Sequence, residues 1–161
     1  MRTAFRFTAA TLAAMLAAIA VSACTPEAPL APAQDIATVT FATSLGVTLS
    51  AMTKTSTGLY YQDTPAGTGV AAVAGNHVTV NYTGYLTSGS SFDTSIGKAP
   101  FPFTLGQSKV IAGWDEGVVG MKVGGTRKLV IPANLGYGAT AVGSIPSNSI
   151  LVFNITLISI P

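Results

Sequence analysis

The chain has 161 residues, enough for one ordinary domain with a short extra segment and too few for two full ones. Charged residues make up only 9%, while 17 glycines and 9 prolines point to a turn-rich, β-rich domain rather than a helical bundle. The net charge of +2 comes from Arg2 and Arg6; beyond them the basic and acidic residues balance, so no basic stripe is left to pair with phosphates, which argues against nucleic acid as a partner.

The first element along the chain is an export signal over residues 1–23. Arg2 and Arg6 supply its positive start. Residues 7–20 carry no charge and are mostly Ala, Leu, Met and Ile, a run short of the ~20 apolar residues of a membrane span. Val21-Ser22-Ala23-Cys24 resembles the bacterial lipobox, in which an aliphatic and two small residues precede a lipid-accepting cysteine. Cys24 is the only cysteine, so it forms no internal disulfide and is the expected lipid attachment point. An ordinary secretory signal cut at Ala23 is the alternative. Thr25 in place of Asp resembles the signal that sorts such proteins onward to an outer membrane. The expectation is an exported protein held at the cell envelope by its lipid, on the periplasmic side of an outer membrane if the cell has two membranes.

Residues 24–55 follow as lipid-bearing Cys, tether and extension. Pro26, Pro29 and Pro32 among alanines read as an extended tether. Residues 35–55 are rich in Thr, Ser and Ala and leave helix and strand open, with a short helix placed near Ser44–Met52. The stretch is too short for a helical dimerisation arm, and a monomer is the default.

The main domain is expected over residues 56–161. Residues 58–63 read as a strand and 64–75, with Pro65, Gly67, Gly69 and Gly75, as a loop. From His77 to Thr87, Val78, Val80 and Tyr82 alternate with Thr79, Asn81 and Thr83, the period of a half-buried strand. Ser88-Gly89-Ser90 is a turn, and Ser91–Asp93 opens the next strand. Phe101, Phe103 and Leu105 alternate around Pro102, which cannot donate a ladder hydrogen bond and so marks an edge strand. Val110–Val118 is the one convincing helix, ended by Gly120 or Gly124. Thr126–Ile131 is a strand closed by Pro132, residues 134–149 a loop, and residues 150–160 a last strand. The result is an α+β domain, an antiparallel sheet wrapped on a helix.

These segments, in this order, resemble the FKBP-type prolyl isomerases. The motifs that carry the likeness run from Val80-Asn81-Tyr82-Thr83-Gly84-Tyr85-Leu86 through Phe92-Asp93-Thr94-Ser95 and Phe101-Pro102-Phe103-Thr104-Leu105-Gly106. They continue with Val110-Ile111-Ala112-Gly113-Trp114-Asp115-Glu116-Gly117, Ile131-Pro132 with Tyr137-Gly138, Ile145-Pro146, and Leu151-Val152-Phe153. The resemblance implies a bent antiparallel sheet of five to six strands around one short helix. It also implies peptidyl-prolyl cis-trans isomerase activity on proline-containing polypeptides, with an immunosuppressant macrolide as a possible ligand. Carried over by position, Asp93, Tyr137, Trp114 and Phe153 are the implied catalytic residues, and Tyr82, Phe92, Phe101, Phe103, Val110, Ile111 and Ile145 the implied substrate-binding residues. Two departures stand out. Ile96-Gly97-Lys98 replaces a segment that in small eukaryotic members carries an orienting arginine. The stretch from Gly138 to Pro146 is shorter than theirs and lacks a rim histidine.

The residue types suit the reaction. An X–Pro bond turns unaided in about tens to hundreds of seconds against a barrier near ~20 kcal/mol, because twisting breaks amide resonance. The planar amide is the more polar form, so water stabilises it more than the twisted one. A dry aromatic hollow therefore lowers the barrier without nucleophile or general base. Trp114 suits the floor, and a Tyr137 hydroxyl or the Ile111 N–H suits a substrate carbonyl. Asp93 suits an orienting role rather than proton transfer. Without the motifs, Trp114 is a natural core residue, the alternation of Phe101 and Phe103 an ordinary buried face, and Asp93 a turn cap. His77 has no second histidine or cysteine to share a metal, and residues 120–125 lack the lysine-serine ending of a phosphate loop, so no cofactor is implied. The competing functions are a chaperone or peptide-binding module of the envelope using the same hollow, and an envelope interaction protein.

Overall fold

The computed structural model describes residues 33–161. The export signal and Cys24 lie outside the described residues.

Seven strands form one sheet: β1 (Thr53–Lys54), β2 (Tyr60–Asp63), β3 (His77–Leu86), β4 (Ser91–Thr94), β5 (Phe101–Thr104), β6 (Thr126–Ile131) and β7 (Leu151–Ser159). Among the described residues one α-helix, α1 (Ala112–Gly117), sits between β5 and β6. The spatial order is β1-β2-β6-β7-β3-β4, with β5 beside β3, and every strand pairing is antiparallel. The domain is thus α+β, as expected, with the two-residue β1 contributed by the stretch ahead of residue 56. Strand β5 has β3 as its one strand neighbour, so Pro102 does lie on an edge. The register of β3 slips against β7 at Thr79/Val80 and against β4 at Gly84/Tyr85, irregularities of the kind that bend a strand.

Alternation assigns the two faces. On β6 and β7, Leu129, Ile131, Leu151, Phe153, Ile155 and Leu157 point to one side and Val130 and Val152 to the other. The first face packs on Trp114 and Val118 of the helix region and on Leu59, Val78, Val80 and Met121, all buried. The second face is covered by the extension. Ile36 and Leu45 are buried there against Val130, Ile150 and Val152, with Val39, Phe41, Val47 and Met52 around them. The helix placed near Ser44–Met52 is instead two single 3-10 turns, Thr43–Leu45 and Leu49–Ala51, separated by Gly46 at φ 56° and Val47-Thr48. The ammonium of Lys128 donates to the Leu45 carbonyl beneath the extension, and burial pushes its pKa down.

Helix α1 is only six residues long, too short to hold itself, and depends on tertiary contacts. A Cβ on Gly113 would stand 2.5 Å from Ile131 Cγ2, and one on Gly117 would stand 2.7 Å from Leu129 Cδ1. Glycine at both positions, four apart on one helix face, lets the backbone settle directly onto β6. Arg127, 6% exposed, clamps the far end of the helix: its Nη1 donates to the carbonyls of Gly117 (3.0 Å) and Val119 (2.9 Å). Its Nε and Nη2 make a two-pronged bond with Asp63 at 2.6 and 2.9 Å, and its guanidinium lies 4.6 Å from the Tyr61 ring centroid.

Candidate active site

A cavity of about 270 Å³ opens between the helix and the outer part of the sheet. Tyr82, Phe92, Asp93, Phe101, Lys109, Val110, Ile111, Trp114, Tyr137 and Phe153 line it. Sequence distance is large, but topology brings them together. Strand β3 carries Tyr82 at the centre, β4 and β5 flank it on one side with Phe92, Asp93 and Phe101, and β7 flanks it on the other with Phe153.

Trp114, 4% exposed, is the floor. Four rings stand around it: Tyr82 at 5.0 Å, Phe153 at 5.2 Å, Phe103 at 5.7 Å and Phe101 at 6.1 Å between centroids. Tyr82, Phe153 and Phe101 meet it edge to face, an arrangement worth about 0.5–1.5 kcal/mol per pair beyond burial. Edge-to-face rings cannot close flat on one another, so the cluster holds a hollow open above the indole. Among the described residues the buried Trp114 Nε1 meets no hydrogen-bond partner, so apolar packing against rings and aliphatic core side chains holds the indole. Gly84 makes room for two of the walls: a Cβ there would lie 2.6 Å from both Phe153 Cε1 and Phe92 Cζ.

Phe103 and Ile145 stand outside this lining. Phe103 supports Trp114 and Phe101 from behind and is 5% exposed. Ile145 lines an adjoining hollow with Val142, Gly143 and Ser144, which shares Phe92, Asp93 and Tyr137 with the main cavity.

The polar groups are few and fixed. The Tyr82 hydroxyl donates to Asp93 Oδ2 at 2.5 Å, and the Thr94 N–H donates to Asp93 Oδ1 at 2.8 Å. Burial, then the bond to and negative charge of Asp93, push the Tyr82 phenol up to about 12, so it stays protonated at neutral pH. Lys98 reaches Asp93 at 3.9 Å with both side chains at least half exposed, a contact of little energetic weight. The backbone of Tyr82 is pinned by buried Ser95, whose hydroxyl accepts from Tyr82 N–H at 2.9 Å and donates to Asn81 Oδ1 at 3.0 Å.

Two neutral donors on the lining are unengaged. Among the described residues neither the Ile111 N–H nor the Tyr137 hydroxyl meets an acceptor. The strand-to-helix turn that carries Ile111 is set by Asp115, which accepts from the N–H groups of Gly106 and Ser108 at 2.8 Å each. Ser108 takes φ 54° there. Tyr137 follows the 3-10 turn Ala133–Leu135, and the Gly138 N–H closes back on the Ala133 carbonyl at 2.8 Å. Sequence reasoning missed Lys109 and the turn-setting work of Asp115. Lys109 directly precedes the Val110-Ile111 pair, which was the available signal.

The family model described as FKBP-type peptidyl-prolyl cis-trans isomerase matches residues 69–158. The chain is 47% identical over 105 residues to the FK506-binding protein of Neisseria meningitidis serogroup B, covering 64% of this chain and 96% of that relative. It is 48% identical over 103 residues to FK506-binding protein 4 of Neurospora crassa, covering 64% of this chain but only 22% of that longer protein. The fold is similar to that of FkpA from Escherichia coli, with a TM-score of 0.63 and 45% identity over 68% of this chain and 51% of that one.

Proposed function

This chain belongs to the FKBP-type peptidyl-prolyl cis-trans isomerases, and from that premise we propose that an X–Pro bond rotates in the hollow above Trp114. The observation that carries the proposal is an aromatic floor beside two donors, the Ile111 N–H and the Tyr137 hydroxyl, that meet no acceptor among the described residues.

The prolyl ring sits on Trp114 between Tyr82, Phe101 and Phe153, with Val110 and Ile111 on the open side. Desolvation removes the water that favours the planar amide. The two donors hold substrate carbonyls and favour the twisted geometry wherever they fit it better than the planar one. A ten-thousand-fold acceleration needs only ~5.5 kcal/mol of such preference. Asp93 takes no proton in this scheme. Its oxygens are engaged by Tyr82 and Thr94, and it fixes the Tyr82 wall and the potential of the cavity. Phe92 props Phe153, Phe103 props Trp114, and Ile145 forms the neighbouring hollow for the chain that flanks the proline.

Exported proteins folding at the envelope are the substrates in this reading, with the chain held there through lipid on Cys24 and acting as a monomer. The 1–23 leader and the cysteine at its end support that placement. A macrolide enters the same hollow.

An isomerase assay on the full chain tests the proposal. Asp93→Leu and Trp114→Leu are expected to abolish acceleration, and macrolide is expected to inhibit it and change Trp114 fluorescence. A folded wild-type chain that leaves X–Pro exchange at the uncatalysed rate refutes it. Unchanged membrane association of Cys24→Ala refutes the anchor.

A further inference from the structure

Every carboxylate near the cavity is already committed. Asp93 accepts from Tyr82 and Thr94, Asp115 accepts from Gly106 and Ser108, and Glu116 accepts from the Thr57 hydroxyl at 2.7 and 2.8 Å. Lys109 is different. It lines the cavity, yet among the described residues it meets no carboxylate and no other acceptor. It is the one cation on a lining that is otherwise aromatic and aliphatic apart from Asp93. It is also held in register with the proposed carbonyl-binding group: Lys109 and Ile111 lie two residues apart on the turn that Asp115 pins.

We propose that Lys109 is a specificity-determining residue that favours substrates with a carboxylate side chain next to the X–Pro bond. This rests on the isomerase reading above and names the substrate class that the site prefers. The acidic side chain lies along the turn before α1, on the Lys109 side of the cavity and turned from Asp93, which repels it. Lys109 is exposed, so the gain is that of a surface ion pair, a preference of about two- to fivefold. Screening weakens it as salt rises.

The test is kcat/KM for peptide pairs with Glu or Gln immediately before or immediately after the X–Pro dipeptide, measured by exchange NMR without a coupling protease at low salt. The full wild-type chain is expected to turn over the Glu peptide faster than its Gln partner at one of the two positions. The Glu/Gln ratio should approach one in Lys109→Gln and at high salt, and fall below one in Lys109→Glu. Lys122→Gln, remote from the cavity, should keep the wild-type ratio. Equal turnover of Glu and Gln peptides at both positions overturns the inference alone, as does a preference that survives in Lys109→Gln. Absence of turnover for every peptide by the folded wild-type chain removes the isomerase reading and this inference with it.

Discussion

The two faces of the sheet solve the same problem in opposite ways. The back of β6 and β7 presents aliphatic Val130 and Val152, and the extension lays Ile36 and Leu45 over them, with Phe41, Tyr60 and Tyr85 packed around the margin. The front presents Phe153 beside Tyr82, Phe101 and Trp114, whose perpendicular contacts leave a cavity of about 270 Å³. The aliphatic centre of the back cluster packs closely, whereas the perpendicular rings on the front frame a hollow. The back face stabilises, and the front gives up some filling to keep an aromatic-walled hollow.

Substitutions that separate stability from catalysis put this contrast at risk. The largest effect is expected for Trp114→Ala, which removes the floor: a stability loss of about 3–5 kcal/mol by urea unfolding together with loss of isomerase activity. Leu45→Ala on the back is expected to cost about 2–3 kcal/mol while kcat/KM at a permissive temperature stays at the wild-type value. A fall in kcat/KM parallel to the stability loss would show that the two faces are not independent. Gly113→Ala forces a Cβ against Ile131 and should cost about 1–3 kcal/mol, with KM rising as the floor shifts. The smallest effect belongs to Tyr82→Phe. Because the folded protein raises the Tyr82 phenol from 10.0 to about 12, the stability it adds is complete below pH 10 and is lost as pH climbs toward 12. Thermal melts across that window should fall less steeply in the variant than in the wild type.

The front face was largely legible in the sequence and the back face was not, for physical reasons. Alternation marked β3 to within a residue because it buries one side, while Pro132 closed β6 and β-branched residues marked β7 to within a residue at each end. Pro102 marked an edge because it lacks a donor. Bringing Tyr82, Phe92, Trp114 and Phe153 together rested on motif resemblance, since no local period encodes contacts between β3, β4, α1 and β7. The extension stayed ambiguous because 3-10 turns at Thr43–Leu45 and Leu49–Ala51 bury side chains at no sustained period. Lys109 escaped notice although it directly precedes Val110 and Ile111 on the same lining, because a lysine is by default a solvated surface residue. Arg127 and Asp63 stand 64 positions apart, beyond the reach of any local pattern.

The missing Cβ atoms of Gly113 and Gly117 carry an implication for engineering. They let the helix backbone lie directly against the side chains of Ile131 and Leu129 on β6, which sets how deep the indole rests. A larger residue at either position would lift the helix from the sheet, whereas Lys109 and Tyr137 on the cavity lining, and Lys98 beside Asp93, are exposed. Those exposed positions are therefore open to substitution without disturbing the contact between helix and sheet.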